Sequence, residues 1–169
     1  MSGFDDAFSV ILGAEGVVLS TDRNDPGNWT GGAVGNGVFK GSKFGISAAS
    51  FPDVDIANLT IDQAKMLAKG RYWDKYFCDQ FDPRIGLQVF DAAYNGGHPA
   101  QWLQGAAGVD TDGIIGAQTI AAVRRSDPRV IVMLFLADRF DYWVTCKAWA
   151  TEGAGWVHRG TKNLRLGAT

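Results

Sequence analysis

The stretch of sequence that decides the fold runs from Gly16 to Gly45 and reads GVVLSTDRNDPGNWTGGAVGNGVFKGSKFG. Eight of its 30 residues are glycines, and it contains the turn-forming sequences Asp25-Pro26-Gly27 and Gly31-Gly32. A helix does not tolerate this density of glycine, because glycine loses more backbone freedom on folding than any other residue. We therefore predict an irregular lobe with a short β-ribbon near Val17 to Leu19. Loops this long in a compact domain are usually functional.

Helical patterns lie on both sides of this lobe. Before it, one apolar helix face predicts a first helix, capped by Ser2 and Asp5 and carrying Glu15 in its last turn. After it, capping sequences predict further helix starts at Thr60 with Gln63, at Asp82-Pro83 and at Asp127-Pro128. Shorter helices are predicted over 99–107 and 116–125, with a turn at 110–113. The predicted fold class is mainly α, with a glycine-rich loop or small β lobe after the first helix.

The C-terminal part of the sequence predicts one long helix and one short one. The long helix begins at Asp127-Pro128 and continues to about Trp149. Its predicted inner stripe consists of Val130, Met133, Leu134, Ala137, Phe140, Trp143 and Val144. The short last helix is predicted over Val157 to Leu166.

Composition narrows the possible chemistry. A chain of 169 residues with 46% apolar residues suits one domain with a real core, and a net charge of −2 argues against nucleic acid as the main partner. Only two of the 18 acidic residues are glutamates, and there are only two histidines, which disfavours zinc hydrolases and histidine-based nucleophilic sites. The two cysteines, 68 positions apart, are expected to be reduced thiols. The sequence shows no signal peptide and no run long enough to span a bilayer, so we expect synthesis in a cytoplasm.

Glu15 is the leading candidate for a catalytic group. A carboxylate at a helix C-terminus faces the negative end of the helix dipole, and apolar neighbours add desolvation, so both effects raise its pKa. A carboxylic acid that stays protonated near neutral pH can serve as the general acid in glycoside cleavage. The lobe supplies a second carboxylate, Asp25, and hydroxyls at Thr30 and Ser42. On spacing alone, a solvated surface glutamate remains the more common interpretation.

Several blocks of sequence, in order, resemble one known family. They are Ile11 to Gly16, Asp25 to Gly32, Gly41 to Ser47, Leu59 to Lys65, Tyr72 to Asp74, Val89 to Gly97, Leu103-Gln104 and Asp112 to Thr119. Together they resemble glycoside hydrolase family 108, the lysozyme-like N-acetylmuramidases found as phage and prophage endolysins. The resemblance covers about positions 10 to 125 and implies a lysozyme-like helical domain. It implies a single domain over 1–169, with a catalytic half at about 1–98 and a C-terminal half at about 99–169 that resembles a peptidoglycan-binding module.

The resemblance also implies roles for individual residues. Glu15 matches the catalytic glutamate of the family's Glu-Gly-Gly-Tyr motif, although this chain continues with Gly16-Val17-Val18 and lacks the tyrosine. Asp25 matches the family's Asp-Pro-Gly as the second catalytic group. Ser42 stands where the family often has threonine and keeps a hydroxyl that can orient water, and Thr30 is the alternative hydroxyl.

Three further residues are candidates for substrate binding. Tyr94 and Asn95 end a predicted helix, from which they could reach a sugar ring and its N-acetyl group, although Asn95 is almost equally well explained as a helix cap. Trp29 in the lobe could stack on a sugar, although most tryptophans belong to the core. We expect Asp91 to be structural, bonded to the amides of a neighbouring loop. No metal site and no cofactor are implied.

These observations lead to one main hypothesis and two alternatives. The main one is an endolysin that hydrolyses the β-1,4 bond between N-acetylmuramic acid and N-acetylglucosamine in peptidoglycan, with Glu15 as general acid. By resemblance, it would be a monomer that collects in the host cytoplasm and reaches the cell wall after a holin-type partner opens the membrane. The alternatives are a lytic transglycosylase acting on the same bond, and a non-catalytic wall-binding module or phage structural component.

Overall fold

The computed structural model describes residues 3–13 and 18–169, and 60% of the chain is helical. The chain forms two compact units. The helical unit consists of Met1–Ala7 and Tyr72–Thr169, and the glycine-rich unit consists of Phe8–Arg71. Among the described residues there are seven α-helices and one two-stranded sheet, so the predicted fold class is confirmed. The predicted functional boundary near residue 98 stays a prediction.

Two of the first three helices begin at the predicted capping sequences, whereas the cap predicted for the first helix includes Ser2, which lies outside the described residues. Helix α1 spans Phe4–Leu12, and α2 spans Ile61–Ala68 behind a complete capping box of Thr60 and Gln63. Helix α3, Pro83–Asn95, begins after Asp82, whose side chain accepts a hydrogen bond from the amide of Arg84. These caps satisfy amide donors that the first helical turn leaves without partners. A π-helical turn, Lys69–Asp74, follows α2.

The remaining helices correct two predicted boundaries. Helices α4, Pro99–Ala106, and α5, Ala117–Arg125, agree with the prediction to within one residue. Helix α6, Pro128–Thr145, ends four residues before the predicted Trp149, because Cys146 has extended backbone angles (φ −71°, ψ 140°). Helix α7 begins at Trp149 instead of Val157 and runs to Ala168, which makes it the longest described helix. The prediction of one long and one short helix was therefore wrong.

The inner face of α6 also differs from the predicted stripe. The buried residues are Ile131, Val132, Phe135, Leu136, Arg139 and Trp143. Of the predicted stripe only Trp143 is buried, whereas Val130, Met133, Leu134 and Val144 are exposed. The helix carries apolar residues on two faces, so spacing alone could not decide which face lies inside.

Aromatic rings and close helix contacts hold the helical unit together. Phe4, Trp73 and Phe90 pack with ring centroids 5.5–5.6 Å apart. Helix α7 lies so close to α6 that a Cβ at Gly160 would stand 2.2 Å from a ring carbon of Phe140. A larger side chain at that position would push the two helices apart. Among the described residues, no helix is long and apolar enough to cross a membrane.

Short antiparallel pairings organise the glycine-rich unit. Strands β1, Ser42–Lys43, and β2, Ile46–Ser47, form a hairpin, and isolated bridges join Ser20 to Ser42 and Trp29 to Phe39. The predicted position of the ribbon near Val17 to Leu19 was therefore wrong for the described residues, because strand pairing there begins at Ser20. Val17 lies outside the described residues. The buried apolar residues of this unit come from α1, the hairpin, the segment after it and α2: Phe8, Phe44, Ile46, Ala48, Ile56, Leu59, Ala64 and Ala68.

Candidate active site

Glu15 lies outside the described residues. Helix α1 ends at Leu12, and Gly13 follows with a left-handed φ of 53°. The prediction that Glu15 lies in the last turn of this helix falls outside the described residues. The role of Glu15 as general acid stays a prediction from the sequence.

Asp25 stands at an exposed turn of the glycine-rich unit. Its Oδ1 accepts a hydrogen bond of 2.8 Å from the amide of Gly27, so that Asp25 caps the short 3₁₀ helix Pro26–Asn28. Proline at the first position of this helix has a fixed φ that suits the turn. The sequence Asp-Pro-Gly thus fixes the backbone that carries this carboxylate and leaves the side chain open to solvent.

Asn28 connects the Asp25 turn to the strand that carries Ser42. The Asn28 carbonyl accepts hydrogen bonds from the amides of Lys40 (3.0 Å) and Gly41 (3.1 Å). Its fully buried side chain donates to the carbonyl of Asp22 (2.9 Å) and to the hydroxyl of Ser20 (3.3 Å). Sequence analysis missed this residue, since nothing in its spacing marks an asparagine in a glycine-rich loop as buried.

Ser42 belongs to the same hydrogen-bonded framework. Its carbonyl accepts from the amide of Ser20 at 2.8 Å, and its own amide donates to the carbonyl of Ser20 at 3.3 Å. Because Asn28 also bonds to Ser20, the backbone segments that carry Asp25 and Ser42 belong to one hydrogen-bond network. The lobe therefore holds two of the predicted groups on connected backbone, although its backbone is irregular.

Thr30 has a structural task in this lobe. Its Oγ1 accepts a 2.8 Å hydrogen bond from the amide of Val38. Gly37 approaches so closely that a Cβ there would stand 2.3 Å from this oxygen, and its φ of 79° favours glycine. The Thr30 hydroxyl thus closes the loop between residues 30 and 38.

Trp29 is half-buried, and a hydrogen bond holds one edge of its indole ring. Its indole Nε1 donates to the carbonyl of Arg23 at 3.0 Å, and its ring lies 5.3 Å from the ring of Phe39. The Arg23 guanidinium lies 4.5 Å from the Phe39 ring centre. These contacts fix the orientation of the indole ring, which a sugar-stacking surface requires, but they also stabilise the lobe.

Tyr94 and Asn95 lie at the end of α3 in the helical unit. The Tyr94 ring packs against Tyr72 (5.1 Å) and Phe90 (5.5 Å), and burial raises the pKa of its hydroxyl well above the ordinary value. Asn95 is exposed, and its Nδ2 donates to the carbonyl (2.9 Å) and the carboxylate (3.0 Å) of Asp91. Asn95 is the last residue of α3, whereas the cap position falls on Gly96, so its bonds to Asp91 are a structural role other than the cap that was its alternative explanation. Substrate contact by Asn95 stays a prediction.

Asp91 is the centre of a buried charge network. Its carboxylate accepts hydrogen bonds from Arg139, from Arg159 at 2.9 Å and from Asn163 at 2.8 Å, besides Asn95. The expected structural role is confirmed, but the partners are side chains of α6 and α7 instead of loop amides. Burial lowers the pKa of Arg139, and the charge of Asp91 acts in the opposite direction. The role of Arg139 was not predicted, because an arginine in a helix is ordinarily expected to be exposed.

The fold and the lobe together define a lysozyme-like helical protein, and the comparisons with known proteins agree with this class. The family model described as Glycosyl hydrolase 108 matches residues 8–97, which is more than half of the chain. The chain therefore belongs to glycosyl hydrolase family 108.

A solved structure shows the same fold. The structure of Brucella abortus SagA matches with a TM-score of 0.81 and 24% sequence identity, covering 98% of this chain and 93% of that chain. No curated protein matches the chain in sequence.

Family membership establishes the type of reaction. The chain is a glycoside hydrolase with a muramidase-type activity on peptidoglycan. The predicted enzyme class is confirmed. Within residues 3–13 and 18–169, no three His, Cys, Asp or Glu side chains come together as metal ligands would.

Proposed function

We propose that this protein is an endolysin that hydrolyses the β-1,4 bond between N-acetylmuramic acid and N-acetylglucosamine. The observation that carries the proposal is the family match over residues 8–97, which includes both Glu15 and the lobe that bears Asp25. Scission of this bond needs an acid for the leaving oxygen and a second group for water or for the sugar cation. One segment of the chain supplies both.

In the proposed mechanism, Glu15 protonates the leaving oxygen. Asp25, with a neighbouring hydroxyl, positions the water molecule or stabilises the positive charge that develops on the sugar. The exposed carboxylate of Asp25, held on a proline-containing turn, supports this role. Ser42 is preferred to Thr30 as the hydroxyl, because the Thr30 oxygen already accepts the amide of Val38.

Three side chains are proposed to contact the glycan. Trp29 offers an indole ring of fixed orientation, and Tyr94 and Asn95 offer a hydroxyl and an amide at the end of α3. The burial of Tyr94 and the bonds from Asn95 to Asp91 limit how far these two groups can move. Substitution of Trp29 by leucine is expected to raise KM for glycan chains more than it lowers kcat, if stacking is the role.

Replacement of single acidic residues tests the catalytic assignment. On purified cell walls, Glu15→Gln and Asp25→Asn are expected to lower the rate of lysis, Glu15→Gln by about 10²-fold or more, as expected for loss of a general acid. Glu152→Gln is the matched control, because Glu152 is the only other glutamate and is exposed on α7. Lysis by Glu15→Gln at a near wild-type rate contradicts the proposal.

Mass spectrometry of the released fragments tests the bond and the reaction. Reducing muramic acid ends are expected for hydrolysis at this bond. Anhydro-muramic ends would instead identify a lytic transglycosylase, and reducing glucosamine ends would identify cleavage of the other glycosidic bond.

The endolysin role has its own test. We propose that the protein acts as a monomer, collects in the host cytoplasm and requires a holin-type membrane protein to reach the wall. Cells that express the protein are then expected to lyse only after the inner membrane is permeabilised. Lysis without permeabilisation contradicts the requirement for a holin-type protein. A dimer in sedimentation analysis contradicts the monomeric state.

A further inference from the structure

A cavity in the helical unit contains none of the residues proposed for bond cleavage and, of those proposed for glycan binding, only Asn95. Its volume is about 240 Å³, and its walls come from the end of α3 and from α6 and α7. Aromatic rings of Tyr142, Trp143 and Trp156 form much of the lining, together with Arg139 and Arg159. It is smaller than the roughly 300–1,000 Å³ of sites for drug-sized ligands, so it suits a group about as large as one amino-acid residue.

The two arginines give the lining of this cavity a positive charge. None of the lining residues is acidic. Within the described residues, the carboxylate bound to both arginines is that of Asp91, so two positive charges share one negative charge. Arg139 also has a buried Nε for which the described residues provide no hydrogen-bond partner.

Arg159 is the group that a ligand could reach. Its side chain is 36% exposed, whereas that of Arg139 is 1% exposed. Only one of its nitrogens, Nη1, bonds to Asp91. A guanidinium has five N–H donors in a planar arrangement that fits a carboxylate, so Arg159 can bind a second carboxylate while it keeps the first.

We propose that this cavity binds the terminal carboxylate of a peptide stem of peptidoglycan, next to Arg159, with the small apolar side chain of that residue against Tyr142 and Trp156. The inference rests on peptidoglycan as the substrate in the proposed function. It adds a second contact with the wall, through the peptide instead of the glycan. A purely structural role of the arginines explains their bonds to Asp91, but it does not require the cavity or the surplus positive charge.

Binding of small peptides to the whole protein tests the proposal. The probes are N-acetyl-D-alanyl-D-alanine and the same dipeptide with an amidated C-terminus, titrated while tryptophan fluorescence is recorded, since Trp143 and Trp156 line the cavity. The free acid is expected to bind at least about tenfold more tightly than the amide, because a charge-assisted hydrogen bond is lost in the amide. Equal affinity of acid and amide, or no binding of the acid, overturns the proposal. Acetate that competes as well as the dipeptide also overturns it, since the apolar walls would then contribute nothing.

Two variants locate the site. Arg159→Gln is expected to weaken binding of the free acid at least tenfold and to remove the preference over the amide. Arg165→Gln, which removes an exposed arginine from the same helix, is the matched control and is expected to bind as the wild type does. Unchanged binding by Arg159→Gln overturns the proposal.

Blocking the cavity provides a test that leaves every arginine in place. Cys146 lines the cavity and is partly exposed, whereas Cys78 is buried. Labelling of Cys146 with N-ethylmaleimide is expected to abolish binding of the free acid, and binding that persists after complete labelling overturns the proposal. These measurements record peptide binding and not bond cleavage. A negative binding result would therefore not contradict the proposed hydrolysis. In the same way, absence of wall lysis by the wild type would not contradict binding of the peptide.

Discussion

Replacement of Asp91 by asparagine should destabilise the helical unit strongly. Asp91→Asn keeps the shape of the side chain but removes its charge and replaces one accepting oxygen by a donating NH₂ group. Each oxygen of the Asp91 carboxylate accepts two side-chain hydrogen bonds, so two donors would face another donor whichever way the amide turns. Arg139, 1% exposed, would also lose its only close carboxylate among the described residues.

The size of the effect follows from burial. Breaking a buried ion pair by removing one partner costs about 3–5 kcal/mol, because the remaining charge stays buried. For a chain of this size, about 2–4 °C in Tm corresponds to 1 kcal/mol, so we expect Tm to fall by roughly 6–20 °C.

Tryptophan fluorescence during thermal and urea unfolding measures this effect. Five of the six tryptophans belong to the helical unit, so the signal reports on the unit that contains Asp91. Asp141→Asn is the control, because Asp141 is exposed on α6, and its change is expected to stay within about 0.5 kcal/mol. If Asp91→Asn lowers the free energy of unfolding by less than about 1 kcal/mol, the reasoning is refuted, since a buried arginine that loses its ion-pair partner destabilises a protein by more than this.

Three smaller predictions test local features. Thr60→Ala, which removes the capping box of α2, should lower the free energy of unfolding by about 0.5–2 kcal/mol in urea titrations. Gly37→Ala should destabilise the lobe by more than about 1 kcal/mol, because its Cβ would overlap the hydroxyl of Thr30 at a left-handed φ, and faster amide exchange near residue 38 should report it. The hydrogen bond from Arg84 lowers the pKa of Asp82, so Asp82→Asn should reduce stability at pH 7. The difference from wild type should begin to shrink as the pH falls below about 4 and be lost as it falls through the lowered pKa.

Matched variants separate these effects from general damage. Thr60→Ser should restore most of the cap. Gly35→Ala has a similar φ of 78° but no atom near its Cβ, so it should be milder than Gly37→Ala, and equal effects would contradict the predicted overlap. Asparagine at position 82 can still cap α3, so a difference between Asp82→Asn and wild type that stays constant across the pH range would contradict the charge explanation.

Local signals in the sequence predicted the helix starts. Thr60 with Gln63, and the Asp-Pro pairs at 82–83 and 127–128, are short-range chemistry that works in the same way in any fold. The buried face of α6 could not be predicted in this way. Val130 and Ile131 each begin an apolar stripe along the helix, and only tertiary packing decides which stripe is buried. The buried Arg139 depends on Asp91, 48 residues earlier, a distance at which sequence patterns carry no signal.

The candidate site was only partly predictable from the sequence. Asp25 and Ser42 do lie on one hydrogen-bonded lobe, as the glycine-rich sequence and the resemblance suggested. Asn28, which joins them, was not predicted, because its burial results from the folded loop and not from its neighbours in the sequence. Glu15 as the acid still depends on the family motif alone.

The Asp91 network has a consequence for the order in which the chain can fold during synthesis. The ribosome releases Asp91 first, and its partners Arg139, Arg159 and Asn163 follow 48, 68 and 72 residues later. Until α7 has emerged, α3 carries a carboxylate that cannot be buried without its counter-charges. A fragment that stops at residue 97, where the family match ends, would keep this charge and lose all three partners. The matched segment therefore depends on α6 and α7 for the counter-charges of its buried carboxylate, so we expect α3 to reach its final packing only after α7 has emerged.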